Sequence, residues 1–316
     1  MTNTAEPNAA VTNAPEGGNW ADAEHERESF QVGGVDRQLT QEEQLEQLGS
    51  YIDAHYPLPS FTPPWAGGDG DPDPADKWTA LLPDRITHAA MLMLGSGLDH
   101  SMPGVAYGTA AGVTEVPEVS AALFTPPEPT GAWAVSLHSG GWWRGAGEAL
   151  EMQWRPEVAA AAVLSGTTIL DLDYPLAPEH TLPEMVAAVH RAADYARSHG
   201  ATSVTVWGYS SGGALAVLSA DTADTLVLTF PDLGSVAKLP DAVRGDVKLC
   251  TPETWPRTLV QIGRQDEVAE RPEGIDGVAG ITVAELVARH RIQTPEVTRE
   301  KIRQVADFLR AVPTPD

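Results

Sequence analysis

The stretch Val204-Thr205-Val206-Trp207-Gly208-Tyr209-Ser210-Ser211-Gly212-Gly213 decides the fold. An apolar β-run, Val204 to Trp207, enters Gly-x-Ser-x-Gly, and an Ala/Leu-rich segment follows from Gly213 to about Ala220. Gly-Ser turns are common, but between a strand and a helix this pattern has mechanical meaning. The turn is sharp enough that the residues two before and two after the serine have no room for side chains. The serine itself is held in a strained conformation with its hydroxyl exposed at a helix N-terminus. Ser210 is therefore the candidate nucleophile.

Around this turn the chain alternates short apolar β-runs with helices. The strand candidates are Val119–Phe124, Ala132–Leu137, Thr167–Leu172, Val204–Trp207, Thr225–Phe230, Arg257–Ile262 and Ile281–Val287. Helices are expected at about Pro183–Ser198, Gly213–Ala220 and Pro295–Arg310. This alternation predicts an α/β fold with a mainly parallel sheet flanked by helices. Functional residues on such a sheet sit in loops beyond the carboxyl ends of the strands.

A serine hydroxyl needs a base, a group that orients the base, and donors for an oxyanion. On this fold the chain order is Ser, then Asp or Glu, then His. Only one histidine follows Ser210, and it is His290, between the strand ending near Val287 and the last helix. Among seven later aspartates before it, Asp266 alone directly follows a strand. Asp232 and Asp241 are the alternatives, and Glu267 and Glu270 lie close by. The oxyanion donors are expected from the N–H of Ser211 and from Gly140 and Gly141 in the loop His138-Ser139-Gly140-Gly141-Trp142-Trp143. His138 is expected to be a structural hydrogen-bonder. Trp142, Trp143 and Tyr209 are candidate pocket residues, with Met152 and Trp154 nearby, on the ground that two adjacent tryptophans do not easily both enter the core.

Three motifs carry a family resemblance. His138-Ser139-Gly140-Gly141-Trp142, Asp173-Tyr174-Pro175-Leu176-Ala177-Pro178-Glu179 and Gly208-Tyr209-Ser210-Ser211-Gly212 resemble those of the hormone-sensitive-lipase-like esterases among the alpha/beta hydrolases. The resemblance spans about residues 105 to 310. It implies Ser210, Asp266 and His290 as a catalytic triad, Gly140, Gly141 and Ser211 as oxyanion donors, and Glu179 as support behind the site. Ser139, Tyr209 and Arg291 depart from that family's usual glycine, acidic residue and glycine. Only 55 residues separate Ser210 from Asp266, so the helical insertion common there is reduced.

Residues 1–35 read as a tail, 36–104 as a small helical cap, and 105–316 as the catalytic domain. In the cap, Thr40-x-x-Glu43 forms a capping box ahead of Leu45, Leu48 and Ile52, and a second helix is expected from Pro83 to Leu94. Pro57 to Pro74 reads as a loop, and its Asp69, Asp71 and Asp73 as a solvated turn without calcium spacing. A short, acidic cap should be mobile and leave a partly open cleft beside Trp142 and Trp143.

Charge and cysteine usage set further bounds. The 316 residues carry 20 basic and 44 acidic side chains, a net −24. The first hundred residues hold 17 acidic and 4 basic ones. Such a surface disfavours nucleic acid and anionic membranes as partners. The single Cys250 suits a reducing cytoplasm, and Met1 to Gly18 lacks the pattern of a signal peptide. No cofactor or metal is implied, and the sequence leaves room for a homo-oligomer. The expected activity is hydrolysis of small, short-acyl esters of neutral or cationic alcohols through an acyl-enzyme. The alternatives are a small-amide hydrolase resembling the arylformamidases, or a non-catalytic small-molecule binder on the same scaffold.

Overall fold

Eight strands form one sheet in the order β1-β2-β4-β3-β5-β6-β7-β8 in the computed structural model, which describes residues 39–95 and 97–311. The tail expected over residues 1–35 lies outside the described residues. The strands are β1 (Gly112–Val116), β2 (Ala121–Thr125), β3 (Ala132–Leu137), β4 (Thr168–Leu172), β5 (Ser203–Tyr209), β6 (Thr225–Thr229), β7 (Arg257–Gly263) and β8 (Ile281–Leu286). β1 and β2 run antiparallel at one edge, and every pairing from β4 to β8 is parallel.

The helices longer than two turns are α1 (Gln41–His55), α2 (Asp73–Ala80), α3 (Leu82–Met93), α4 (Arg155–Ser165), α5 (Leu182–Ser198), α6 (Ser211–Leu218) and α7 (Pro295–Arg310). Side chains of a strand alternate between faces, and β5 shows the consequence. Val204 and Val206 pack with α5 and α6 in one core, while Trp207 and Tyr209 pack with α4 and α7 in the other. A third cluster joins Leu45, Leu48, Ile52, Trp78, Leu82 and Ile86 of the first three helices to Val287 and Ile292, which flank the His290 loop.

Three elements differ from expectation. α2 begins inside the expected Pro57–Pro74 loop, because proline in a first helical turn loses no hydrogen bond. α4 lies in the Ala-rich run after the loop that follows β3, again with proline in its first turn. β1 is an exposed edge strand with one buried residue, so its sequence carries little apolar signal. The aspartate-rich turn closes on itself, with Asp69 accepting from Asp71 N–H and Asp71 from Asp73 N–H.

Candidate active site

Ser210, His290, Asp266 and the Gly140–Gly141 turn come together beyond the carboxyl ends of β3, β5, β7 and β8. β5 runs into Ser210, and α6 starts one residue later, so the chain must reverse within that residue. Ser210 takes φ 58° and ψ −119°, a sparsely populated conformation for a residue with a side chain. Its N–H donates to Thr229 O at 3.0 Å, and its carbonyl accepts from Asp232 and Gly213 N–H groups, each at 3.0 Å. The glycines on either side are required by space. A Cβ on Gly208 would stand 2.0 Å from Gly212 O, and one on Gly212 would stand 2.4 Å from Leu137 O.

His290 follows β8, and Asp266 lies three residues beyond β7. His290 Nε2 is 2.9 Å from Ser210 Oγ, and Nδ1 is 2.8 Å from Asp266 Oδ2. Both side chains are nearly buried, at 3% and 5% exposure. Burial by itself would raise the Asp266 carboxyl. The hydrogen bond and charge of His290, with N–H donors from Ala269 and Val268, outweigh that and hold it below the usual range. Asp232 approaches Ser210 only through its main chain, and burial pushes its carboxyl up. Asp241 is exposed and paired with Arg244. Glu267 accepts from His290 N–H at 3.0 Å, fixing the loop but not the imidazole. Tyr209 lines the cleft, and its hydroxyl donates to His290 O at 2.6 Å. A hydroxyl bound to an imidazole that is bound to a carboxylate can pass its proton to the ring while the carboxylate steadies the resulting charge.

The loop after β3 turns back toward Ser210. Gly140 has φ 143°, and a Cβ there would stand 1.7 Å from Arg144 O, so only glycine fits. Its residue lines the cleft at Ser210. Gly141 N–H donates to Ser211 Oγ at 3.0 Å, so this N–H is engaged by a side chain. Ser211 heads α6, where its backbone N–H is one of the first-turn donors left over by the helix.

A family model described as alpha/beta hydrolase fold matches residues 134–231, which include this loop and Ser210. The chain has the alpha/beta hydrolase fold. Among similar solved structures is an esterase from Pyrobaculum calidifontis, 19% identical, covering 77% of this chain and 92% of that one, with a TM-score of 0.52. An esterase of the bacterial hormone-sensitive lipase family is 15% identical over 86% of this chain and 99% of its own, at 0.54. EstE5, solved after soaking with p-nitrophenyl butyrate, is 18% identical over 84% and 97%, at 0.57. At such identities the likeness is one of fold. No curated protein sequence matches the chain.

The helices that precede β1 lie over the cleft at Ser210 and narrow it without sealing it. The space beside Ser210 is about 30 Å3, under Thr79 and Leu82 of the cap. Polar ties hold these helices in place. Arg144 Nη1 donates to Asp76 Oδ1 at 3.2 Å, Gly145 N–H donates to the same carboxylate at 3.1 Å, and Arg289 Nη1 donates to Asp53 Oδ2 at 2.8 Å. Arg264 Nη1 reaches Glu42 Oε1 at 3.1 Å. Asp76, Asp53 and Glu42 thus each face an arginine from later in the chain.

Two expectations about side chains are corrected. Trp142 and Trp143 are 1% and 7% exposed, and neither lines the cleft at Ser210. Trp142 adopts φ 78°, which turns its ring into the core, where Nε1 donates to Ser235 Oγ at 2.9 Å. Trp154 is also core, with its ring centroid 4.7 Å from that of Trp207. Glu179 is exposed and lies outside the cleft, so it does not support the site from behind. His138 is buried, stacked at 4.3 Å on Tyr174, with Nδ1 2.6 Å from Ser139 O. Sequence reasoning missed Arg144, Gln153 and Thr79, which line the cleft and belong to no motif. A larger cleft of about 720 Å3, lined by Met91, Leu98, Val105 and Met152 among others, contains none of the Ser210, His290 and Asp266 side chains. Among the described residues, no three His, Cys, Asp or Glu side chains are grouped to hold a metal ion, and no helix is long and apolar enough to cross a membrane.

Proposed function

We propose that the chain is a serine carboxylester hydrolase acting on small esters. The observation that carries this reading is the continuous relay Ser210 Oγ–His290–Asp266, at 2.9 and 2.8 Å, on a serine held at positive φ. Ser210 attacks the ester carbonyl while His290 Nε2 takes its proton. Asp266 keeps Nδ1 protonated and offsets the charge that the ring gains. The backbone N–H groups of Gly140 and Ser211 face the developing oxyanion, and Gly141 joins them when its N–H leaves the Ser211 hydroxyl. His290 then protonates the leaving alcohol and activates the water that releases the acid. A space of about 30 Å3 holds little more than water, so the cleft must widen to admit an ester.

The test pairs a fluorophosphonate probe with 4-nitrophenyl esters of rising acyl length. Wild type should be labelled once and hydrolyse the short esters, and Ser210→Ala should do neither. Labelling that persists in Ser210→Ala would overturn the assignment.

A further inference from the structure

Among the described residues, the cleft at Ser210 is lined by two guanidinium groups and by no carboxylate. Arg144 reaches it from the loop after β3, and Arg291 from the residue after His290. The Phe61 ring lies against both, with its centroid 4.4 Å from Arg144 Cζ and 4.2 Å from Arg291 Cζ. Their side chains are 7% and 18% exposed. Arg144 commits Nη1 to Asp76 and, at 3.5 Å, to Thr79 Oγ1. Burial, opposed by Asp76 and reinforced by the Arg291 charge, lowers it to about 10, which leaves it a cation at neutral pH. Arg291 donates no hydrogen bond to any described residue, and its nearest carboxylate oxygen, Glu267 Oε1, stands 3.7 Å away.

Desolvating a guanidinium without giving its donors partners is costly, and the group that best satisfies its planar fork is a carboxylate. Here Arg291 is held beside the candidate nucleophile with one carboxylate oxygen at 3.7 Å, beyond hydrogen-bonding distance, in a protein of net charge −24. The aromatic stack fixes the guanidinium planes and leaves the edges, which carry the N–H groups, for a ligand. Net charge acts over the whole surface, whereas a narrow cleft responds most to the charges that line it. In this molecule the charged side chains that line the cleft are arginines, although the chain as a whole is anionic.

We propose that Arg144 and Arg291 form an anion subsite beside Ser210, and that the preferred substrate is an ester carrying a carboxylate close to its scissile bond. This rests on the serine-hydrolase reading and reverses the preference for neutral or cationic alcohols expected from net charge. The carboxylate stands on either the acyl or the alcohol portion, and the test separates the two.

The experiment compares two matched pairs on the full chain. On the acyl side, 4-nitrophenyl hydrogen glutarate is set against 4-nitrophenyl valerate; on the phenol side, 4-acetoxybenzoate is set against its methyl ester. The charged member of at least one pair should have the higher kcat/KM. Arg291→Gln should lower that preference by on the order of tenfold, mainly through KM, as expected for loss of a charge-assisted hydrogen bond. Arg291→Lys, which keeps the charge and loses the fork, should recover part of it. Salt should erode the preference.

Preference for the neutral member of both pairs overturns the inference. So does a preference that neither Arg291→Gln nor Arg144→Gln changes, since the arginines would then only hold Phe61. A second readout is calorimetric binding of 4-acetoxybenzoate to Ser210→Ala, with and without Arg291→Gln. Arg291-dependent binding without wild-type turnover would keep the subsite and remove the esterase reading. Turnover of neutral esters without such binding would do the reverse, and neither binding nor turnover would remove both.

Discussion

Asp266 Oδ2 lies 2.8 Å from His290 Nδ1, on the opposite side of the imidazole from Ser210 Oγ. The contact fixes which ring nitrogen carries the proton and therefore which one is free to accept the serine proton. It also distinguishes Asp266 from Asp232, which the chain order alone leaves open. Asp266→Asn should preserve the fold and lower kcat by about 10⁴, because the amide would hold the ring in the wrong tautomer. Asp232→Asn should leave the tautomer alone and change kcat far less. Steady-state kinetics of both variants decide it; a larger loss in Asp232→Asn would refute the assignment.

The turn at Ser210 depends on backbone approaching backbone. A Cβ on Gly212 would stand 2.4 Å from Leu137 O and 2.5 Å from His138 O, atoms that cannot swing aside. Gly212→Ala should therefore destabilise the protein by about 1–3 kcal/mol and displace the loop that follows β3. Gly112→Ala is the control, since its new Cβ meets nothing nearer than 3.7 Å. Urea denaturation should place that variant within about 0.5 kcal/mol of wild type. Equal stability of the two variants would mean that the turn can relax.

Much of this arrangement was legible in the sequence, because it follows from local rules. Gly208 and Gly212 mark a turn with no space for side chains, and His290 is the one histidine in the right order. The parallel strands from Ala132 onward declare themselves by apolar runs. What could not be read depends on long-range contacts. Nothing local shows that Trp142 turns inward at positive φ, or that Arg144 and Arg291 meet across Phe61. The α2 and α4 helices were hidden by first-turn prolines, which signal loops to a reader of sequence and are tolerated in the fold. Glu179 shows the opposite failure, a motif residue that the fold leaves at the surface.

His138 should make stability depend on pH. Burial lowers it to about 4 despite the opposing hydrogen bond to Ser139 O, and its Nε2 has no partner. Between the unfolded value near 6.5 and the folded value near 4, the unfolded chain binds the extra proton. Stability from this residue is thus complete above about pH 6.5 and is lost as pH falls toward 4, by at most about 3 kcal/mol. His138→Gln should be less stable at neutral pH and show a flatter acid limb in urea titrations. An unchanged slope between pH 6.5 and 4 would assign the acid sensitivity to other groups.

Behind the imidazole lies a buried ion pair that the proton relay does not touch. Lys301 Nζ is 3.0 Å from Glu157 Oε2, with the two side chains 2% and 7% exposed. The same Nζ donates to Gln293 Oε1 at 3.3 Å, and Gln293 Nε2 donates to His290 O at 3.4 Å, beside the Tyr209 hydroxyl bond. The network thus links α4 and α7 to the main chain of His290. Removing one partner leaves an uncompensated buried charge, so Lys301→Met should cost about 3–5 kcal/mol. Replacing both partners by apolar groups removes that charge, so Lys301→Met with Glu157→Leu should recover most of the loss. Denaturation of the three proteins separates pairing from packing. If the double variant is as unstable as the single one, the packing of the long lysine stem, and not its charge, holds the two helices together.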